Sequence, residues 1–228
     1  MRNKVVITLT GPSASGKSTL ERMLTRAGAG AFTNCVSHTT RMPREGEVHG
    51  SHYYFVDEAD FVELNRQGCF VEAVGHSGVH YGLSVTELER AFACDQIPIV
   101  VCEPVGQAQV QDYCDKRGWA VLSVFVDNPA QVRYERLVAR FIADIQHLAL
   151  GSSEFGHRAA SFAKRLAAIE TIESRWGDSA GDRYRMVFRH FNAANRAQVA
   201  QAIVGEAFAL QAVVEPVRRQ GPPREAVA

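Results

Sequence analysis

Gly11-Pro12-Ser13-Ala14-Ser15-Gly16-Lys17-Ser18, with Thr19 behind it, is the stretch on which the reading of this chain turns. The octet fits the pattern GxxxxGK[ST], and its surroundings fit too. The apolar run Val5 to Leu9 reads as a buried strand before it, and Gly16 to about Ala27 as a helix after it. Glycines let the backbone curl until successive N–H groups point at one place, and the helix adds its positive end there. Such a turn holds the phosphates of a nucleoside triphosphate. Lys17 is placed to reach the β- and γ-phosphates, and the Ser18 hydroxyl to ligate Mg²⁺. From average residue usage, a chance match in a chain of this length is on the order of 1%. The motif alone leaves ATPase, GTPase and kinase open.

Outward from this turn, apolar runs of strand length alternate with helical patterns: Ile97 to Cys102, Ala120 to Val126, and a weaker Met186 to Phe188 before a helix over about Asn195 to Ala209. That alternation predicts an α/β fold, a P-loop NTPase-type parallel sheet flanked by helices. Residues 35–82 have a different texture, with Thr, Tyr, Phe, Gly and His at short spacing, and predict a small mixed β subdomain. A helix from Glu58 to Arg66, opened by Asp57 and stopped near Gly68, interrupts it. Ser84-Val85-Thr86-Glu87 has the form of a capping box. Val132 to Leu150 and Arg158 to Trp176 are expected as long helices joined by a flexible Gly/Ser junction at 151–156. Together these give one domain over 1–214: a core of 1–34, 84–139 and 166–214, an acceptor subdomain at 35–83, a helical lid at 140–165, and a disordered Pro/Arg tail at 215–228.

Lysine plus arginine and aspartate plus glutamate both number 25, a balance that argues against nucleic acid as a partner. No apolar run approaches the ~18 residues of a membrane span, and Met1 to Thr10 lacks a signal-peptide pattern. Five scattered cysteines without a CxxC pair fit small core hydrophobes in a reducing cytoplasm better than a metal or redox site.

Downstream of the turn stands Ser37-His-Thr-Thr-Arg41-Met-Pro-Arg44-Glu-Gly-Glu47-Val-His-Gly-Ser-His-Tyr53-Tyr-Phe55. Arg41 and Arg44, three residues apart on a Pro-stiffened loop, can converge on one dianionic group, because guanidinium forks match phosphate geometry. Tyr53 and Tyr81 offer neutral donors to the same oxygens. In this segment the chain resembles the guanylate kinase family, whose acceptor region carries S-x-T-T-R-x-P-R-x-G-E-x-x-G-x-x-Y-x-F. Gly68-Cys-Phe-Val-Glu72 and Tyr81-Gly82 match the family's next two signatures.

The resemblance implies a phosphate grip by Arg41, Arg44, Tyr53 and Tyr81, with Glu47 ordering the arginine loop and Ser37 and Glu72 reading guanine. One carboxylate can accept from both the N1–H and the 2-amino group, a donor pair that adenine lacks. It also implies lid arginines over the transferring phosphoryl group, first Arg140 and Arg165, then Arg136 and Arg158. The pattern breaks at three places. Leu83 stands where a Ser or Thr is usual, Val101 and Glu103 replace an Asp-x-Asp pair, and Phe141 replaces a lid glycine. Glu103 keeps a charge that can face the base or metal-bound water. The expected protein is thus an ATP- and Mg²⁺-dependent kinase of GMP or dGMP, monomeric or homodimeric. The alternatives are a kinase of another or base-modified nucleotide, and a non-catalytic binding module.

Overall fold

The structure, a computed structural model, describes residues 2–43, 46–76, 78–171, 173–178 and 180–213. The expectations for Arg44 and for the tail at 215–228 lie outside the described residues. In chain order the strands are β1 (Val5–Thr10), β2 (Phe32–Asn34), β3 (His38–Thr39), β4 (Tyr54–Phe55), β5 (Phe70–His76), β6 (Val79–Ser84), β7 (Ile97–Val101), β8 (Ala120–Val126) and β9 (Met186–Phe188). The helices are α1 (Lys17–Ala27), α2 (Glu58–Arg66), α3 (Val85–Ala93), α4 (Pro104–Asp115), α5 (Ala130–Ile145), α6 (Ser153–Thr171), α7 (Ala180–Arg183) and α8 (Arg196–Ala212).

β1 is buried at every position because it lies in the middle of a five-stranded parallel sheet ordered β2-β7-β1-β8-β9. Ile7 stands opposite Ile99 on one side and Leu122 on the other. Alternate residues serve opposite faces, as a period of two requires. Val5, Ile7 and Leu9 pack with Leu20 and Leu24 of α1 and Val199, Ile203 and Ala207 of α8. Val6 packs on the other face with Leu88 of α3 and Val110 and Cys114 of α4. Helices on both faces explain why the sheet strands are continuous apolar runs rather than alternating ones. Among the described residues, no helix is long and apolar enough to cross a membrane. Cys35, Cys102 and Cys114 are buried free thiols.

The second sheet, ordered β4-β3-β6-β5, is mixed: β3 pairs parallel with β4 and antiparallel with β6, and β5 and β6 form an antiparallel pair. A register shift between Phe70 and Glu72 interrupts that pairing, the kind of bulge that re-aims a side chain. The Asp57 carboxylate caps α2 by accepting the Asp60 N–H at 2.8 Å, and Phe61 from that helix stacks on Phe70.

Two local expectations need correction. Ser84 does precede α3, but its hydroxyl pairs with Thr86 Oγ1 at 3.0 Å and the reciprocal box is not made. Glu87 has other work, accepting the Val36 N–H and the Tyr54 hydroxyl. The junction between the two long helices also lies earlier than expected, over 146–152 rather than 151–156. Ser152 Oγ accepts the Phe155 N–H at 3.2 Å, so α6 starts at Ser153 and carries Gly156 within it. Phe141 and Phe162 stack at 4.2 Å and 5°, locking α5 and α6 together as a helical hairpin.

Candidate active site

The turn between β1 and α1 is shaped by three residues with positive φ: Gly11 at 147°, Ala14 at 59° and Gly16 at 111°. A Cβ on Gly11 would stand 2.0 Å from the Val126 carbonyl oxygen, and one on Gly16 would stand 2.7 Å from the Phe191 ring. Two of the loop's carbonyls are engaged by later segments of the chain. Asn128 Nδ2 donates to Ser15 O at 2.7 Å, and Arg136 donates to Ala14 O at 3.1 Å and to Phe191 O at 3.3 Å. With the carbonyls occupied, the loop can present its N–H groups as an anion-binding nest.

Lys17 folds over the loop, its ammonium donating to Gly11 O at 2.6 Å and Pro12 O at 2.8 Å. Burial pulls its pKa down to about 8, against the opposing charges of Glu173 and Glu103. Glu173 itself reaches into the loop. Its carboxylate accepts the Ser13 N–H at 2.8 Å and the Ser13 hydroxyl at 2.6 Å.

Facing this loop across a cleft of about 570 Å³ are Ser37, Arg41, Tyr53, Glu72 and Tyr81 from the smaller sheet, with Glu103 and Val101 at the end of β7. Arg41 is held by Glu47 at 2.9 Å and lies 5.3 Å over the Tyr53 ring, which meets Tyr81 edge-on at 6.0 Å. Glu72 is 3% exposed, and its Oε2 lacks a hydrogen-bond partner. Burial first, then the neighbouring Glu103, raises its pKa to about 8, against the Leu83 N–H that donates to the carboxylate. Arg140 and Arg165 reach the cleft from α5 and α6. Burial and then Arg165 hold the Arg140 pKa below the usual guanidinium range, with Arg41 adding to the effect. Guanidiniums crowded in this way call for an anion between them.

Of the residues singled out from sequence, Gly11, Ser13 to Thr19, Ser37, Arg41, Tyr53, Glu72, Tyr81, Glu103, Arg140 and Arg165 line this cleft. Pro12 is buried and contributes its carbonyl to Lys17. Arg136 lines the cleft but spends its donors on the back of the loop, a buttress rather than a lid arginine. Arg158 bridges Pro43 O at 3.3 Å and Glu154 at 2.8 Å, joining the helical hairpin to the arginine loop. Leu83 is fully buried in the core, so the missing hydroxyl there is replaced by packing and by the contact of its own N–H with Glu72. Val101 does line the cleft, in company with Val74 and Val79.

Sequence reasoning missed Arg22, Glu173, Trp176, Phe191 and Arg196, which also line the cleft. Arg22 could have been found, since it lies one helical turn beyond Ser18 and donates to its carbonyl at 3.2 Å. The others come from more than 150 residues away and carry no local signal. Among the described residues there is no group of three or more His, Cys, Asp or Glu able to hold a metal. The Ser18 hydroxyl and the Glu103 carboxylate both line the cleft and are hard oxygen donors. That donor set fits a Mg²⁺ ion arriving with phosphates rather than a dedicated cage.

An anion nest and an arginine-tyrosine grip on opposite walls of one cleft, at the carboxyl end of a parallel sheet, are the mark of a P-loop phosphotransferase with two anionic substrates. The comparisons with known proteins agree. The guanylate kinase family profile matches residues 2–153, and the chain belongs to that family. It is 33% identical over 138 residues to the guanylate kinase of Mycoplasmopsis pulmonis, covering 60% of this chain and 69% of that protein. It is 38% identical over 129 residues to the guanylate kinase of Methylobacillus flagellatus, covering 56% of this chain and 61% of that one. The crystal structure of guanylate kinase from Anaplasma phagocytophilum has the same fold, with a TM-score of 0.62 at 21% identity over 93% of this chain and 89% of that one.

Proposed function

We propose that the protein transfers the γ-phosphate of ATP to GMP or dGMP, giving ADP and the corresponding diphosphate. The observation that carries this reading is Glu72, a buried carboxylate with an unpartnered oxygen, in the same cleft as the Lys17 loop and Arg41. The acceptor's own phosphate oxygen is the nucleophile, so no covalent enzyme intermediate is needed. Gly11 to Thr19 wrap the triphosphate, and Lys17 leaves its two carbonyls to reach the transferring group. Arg41, Tyr53 and Tyr81, with Arg44 expected beside them, align the attacking phosphate. Arg140 and Arg165 spread the charge that develops in transfer. Mg²⁺, when bound with ATP, supplies further neutralisation of phosphate charge, and the Ser18 hydroxyl would hold it. Ser37 and Glu72 read the guanine edge, with Glu103 close by.

In this reading residues 35–83 are the acceptor subdomain and 140–165 the lid. Closure of both excludes water and so suppresses ATP hydrolysis. Free buried thiols suit a reducing cytoplasm. A base bearing an apolar substituent is a second reading, favoured by Val74, Val79 and Val101 in the cleft wall.

A coupled ADP-release assay against ribo- and deoxy-monophosphates, base-modified purines included, tests the assignment. GMP or dGMP should be used best. Lys17→Ala should abolish transfer for every acceptor, whereas Glu72→Gln should damage guanine nucleotides most. Equal losses across all four monophosphates would remove Glu72 as the base reader.

A further inference from the structure

Glu173 stands in the phosphate loop where an anion is expected. It lies two residues beyond the end of α6, in a short 3-10 turn over Glu173–Arg175, and is 1% exposed. Its two oxygens take both donors of Ser13, the N–H at 2.8 Å and the hydroxyl at 2.6 Å. Charge-assisted bonds of this kind are the strong ones. The carboxylate therefore presents to the loop what a phosphate presents, negative charge and convergent acceptor oxygens. Glu173 is also the foremost charge keeping a proton on the desolvated Lys17.

On the assignment of this loop to ATP, we infer that Glu173 is an internal occupant of the phosphate loop that ATP must displace, and that its departure releases the base of the lid helix α6. Two anions cannot share the Ser13 donors without strong repulsion at such range. One must leave, and Glu173 has somewhere to go. Its carboxylate already lies 3.6 Å from the Arg133 guanidinium, an NH1 nitrogen that has no hydrogen-bond partner. Arg133 does not depend on Glu173 for its own position, because Asn128 O accepts from its Nε at 3.1 Å and Asp127 lies at 3.8 Å. A shift from Ser13 toward Arg133 exchanges one set of donors for another.

The consequence reaches the lid. α6 carries Ser161 and Arg165 on the cleft wall, and Glu173 ties its far end to the loop. A phosphate chain that evicts Glu173 thereby unfastens the helix that must move over it. By linkage, whatever holds the lid open favours Glu173 in the loop and weakens ATP.

Trp176, three residues on and also lining the cleft, is a built-in reporter once Trp119→Phe removes the second tryptophan. In that background, ATP and inorganic tripolyphosphate are titrated by calorimetry and by Trp176 emission into the parent, Glu173→Ala and Glu173→Gln proteins. Removing an internal competitor should tighten both ligands by about threefold or more. The emission change that each ligand produces in the parent should already be present in ligand-free Glu173→Ala. Equal or weaker binding in the variants overturns the inference. Tighter binding with a silent Trp176 also overturns it, reducing Glu173 to a nearby charge. Should Glu173→Ala fail to fold by circular dichroism, Glu173→Gln carries the same comparison, since its neutral amide cannot imitate phosphate charge. A parent protein that binds neither ligand would instead sink the kinase reading.

Discussion

A Cβ placed on Gly106 would stand 2.6 Å from Glu72 Oε2. Gly106 lies in the first turn of α4, after Pro104 at the helix start, and the side chain it lacks is the room in which the Glu72 carboxylate rests. Helix propensity alone would make Gly106→Ala stabilising by about 1 kcal/mol. The contact predicts a different result for function: the methyl group displaces the Glu72 carboxylate, which in the proposed reading holds the acceptor's base edge. Losing a hydrogen bond to a charged group costs about 1.5–3 kcal/mol, so the KM for GMP should rise roughly 10- to 100-fold. ATP affinity should stay put. Acceptor titrations at saturating ATP decide the matter, and an unchanged KM would dissociate Gly106 from base reading.

With Glu72 in its proposed role as base reader, acceptor binding should depend on pH. Burial first and Glu103 second raise its pKa to about 8, so the empty pocket holds a proton at neutrality. Guanine offers donors, and they need the ionised carboxylate. Binding must therefore release that proton, and GMP affinity should rise with pH by up to about tenfold per unit below 8, levelling above it. Calorimetry with GMP alone, in buffers of different ionisation heat, reads both the slope and the released proton. Glu103→Gln removes the second cause and should move the midpoint down. The sign for stability is opposite. Between the ordinary carboxyl value of 4.5 and about 8 the folded chain keeps a proton that the unfolded chain has lost, so this group's contribution falls as pH rises.

Arg140 and Arg158 should separate cleanly in kinetics. Arg140 lines the cleft, crowded by Arg165 and Arg41. On its proposed role at the transferring group, Arg140→Ala should lower kcat by about 10²- to 10³-fold with little change in ATP affinity. Arg158 instead spans from α6 to Pro43 O. Arg158→Ala should leave kcat within about threefold and raise the acceptor KM, because it loosens closure rather than chemistry. Equal kcat losses in a single-turnover experiment would mean that the two arginines share one task.

Legibility in the sequence followed the range over which each feature is determined. β8 and β9 have the bounds the apolar runs gave, and α2 begins where Asp57 was expected to cap it. These features depend on neighbours within a few residues. β2, β3 and β4 are two or three residues long, too short for any periodicity to declare them. The loop sequence announced its own function, yet the parts that shape it did not: Asn128, Arg136, Glu173 and Phe191 arrive from 113 to 160 or more residues away. Leu83 stands where a hydroxyl residue is usual, yet its side chain turns into the core, and it contacts Glu72 through a backbone N–H that any residue except proline would supply.

Glu87 is the joint between the core and the acceptor segment. Its Oε2 accepts the Val36 N–H and Arg90 at 2.9 Å each, and its Oε1 accepts the Tyr54 hydroxyl at 3.1 Å. Burial alone would raise its pKa, but Arg90 and the Val36 N–H outweigh burial and hold it below the usual carboxylate value. A depressed carboxyl contributes stability above its unfolded pKa and loses it as pH falls. Glu87→Ala strands a buried N–H and one side of Arg90, which should cost about 2–4 kcal/mol in urea unfolding. The Glu63–Arg66 pair, both partners largely exposed, gives the contrast: Glu63→Ala should leave the urea midpoint in place. If the Glu87→Ala loss persisted undiminished at pH 3, ionisation would have no part in it. The joint would then rest on packing and on hydrogen bonds that a neutral carboxyl also accepts.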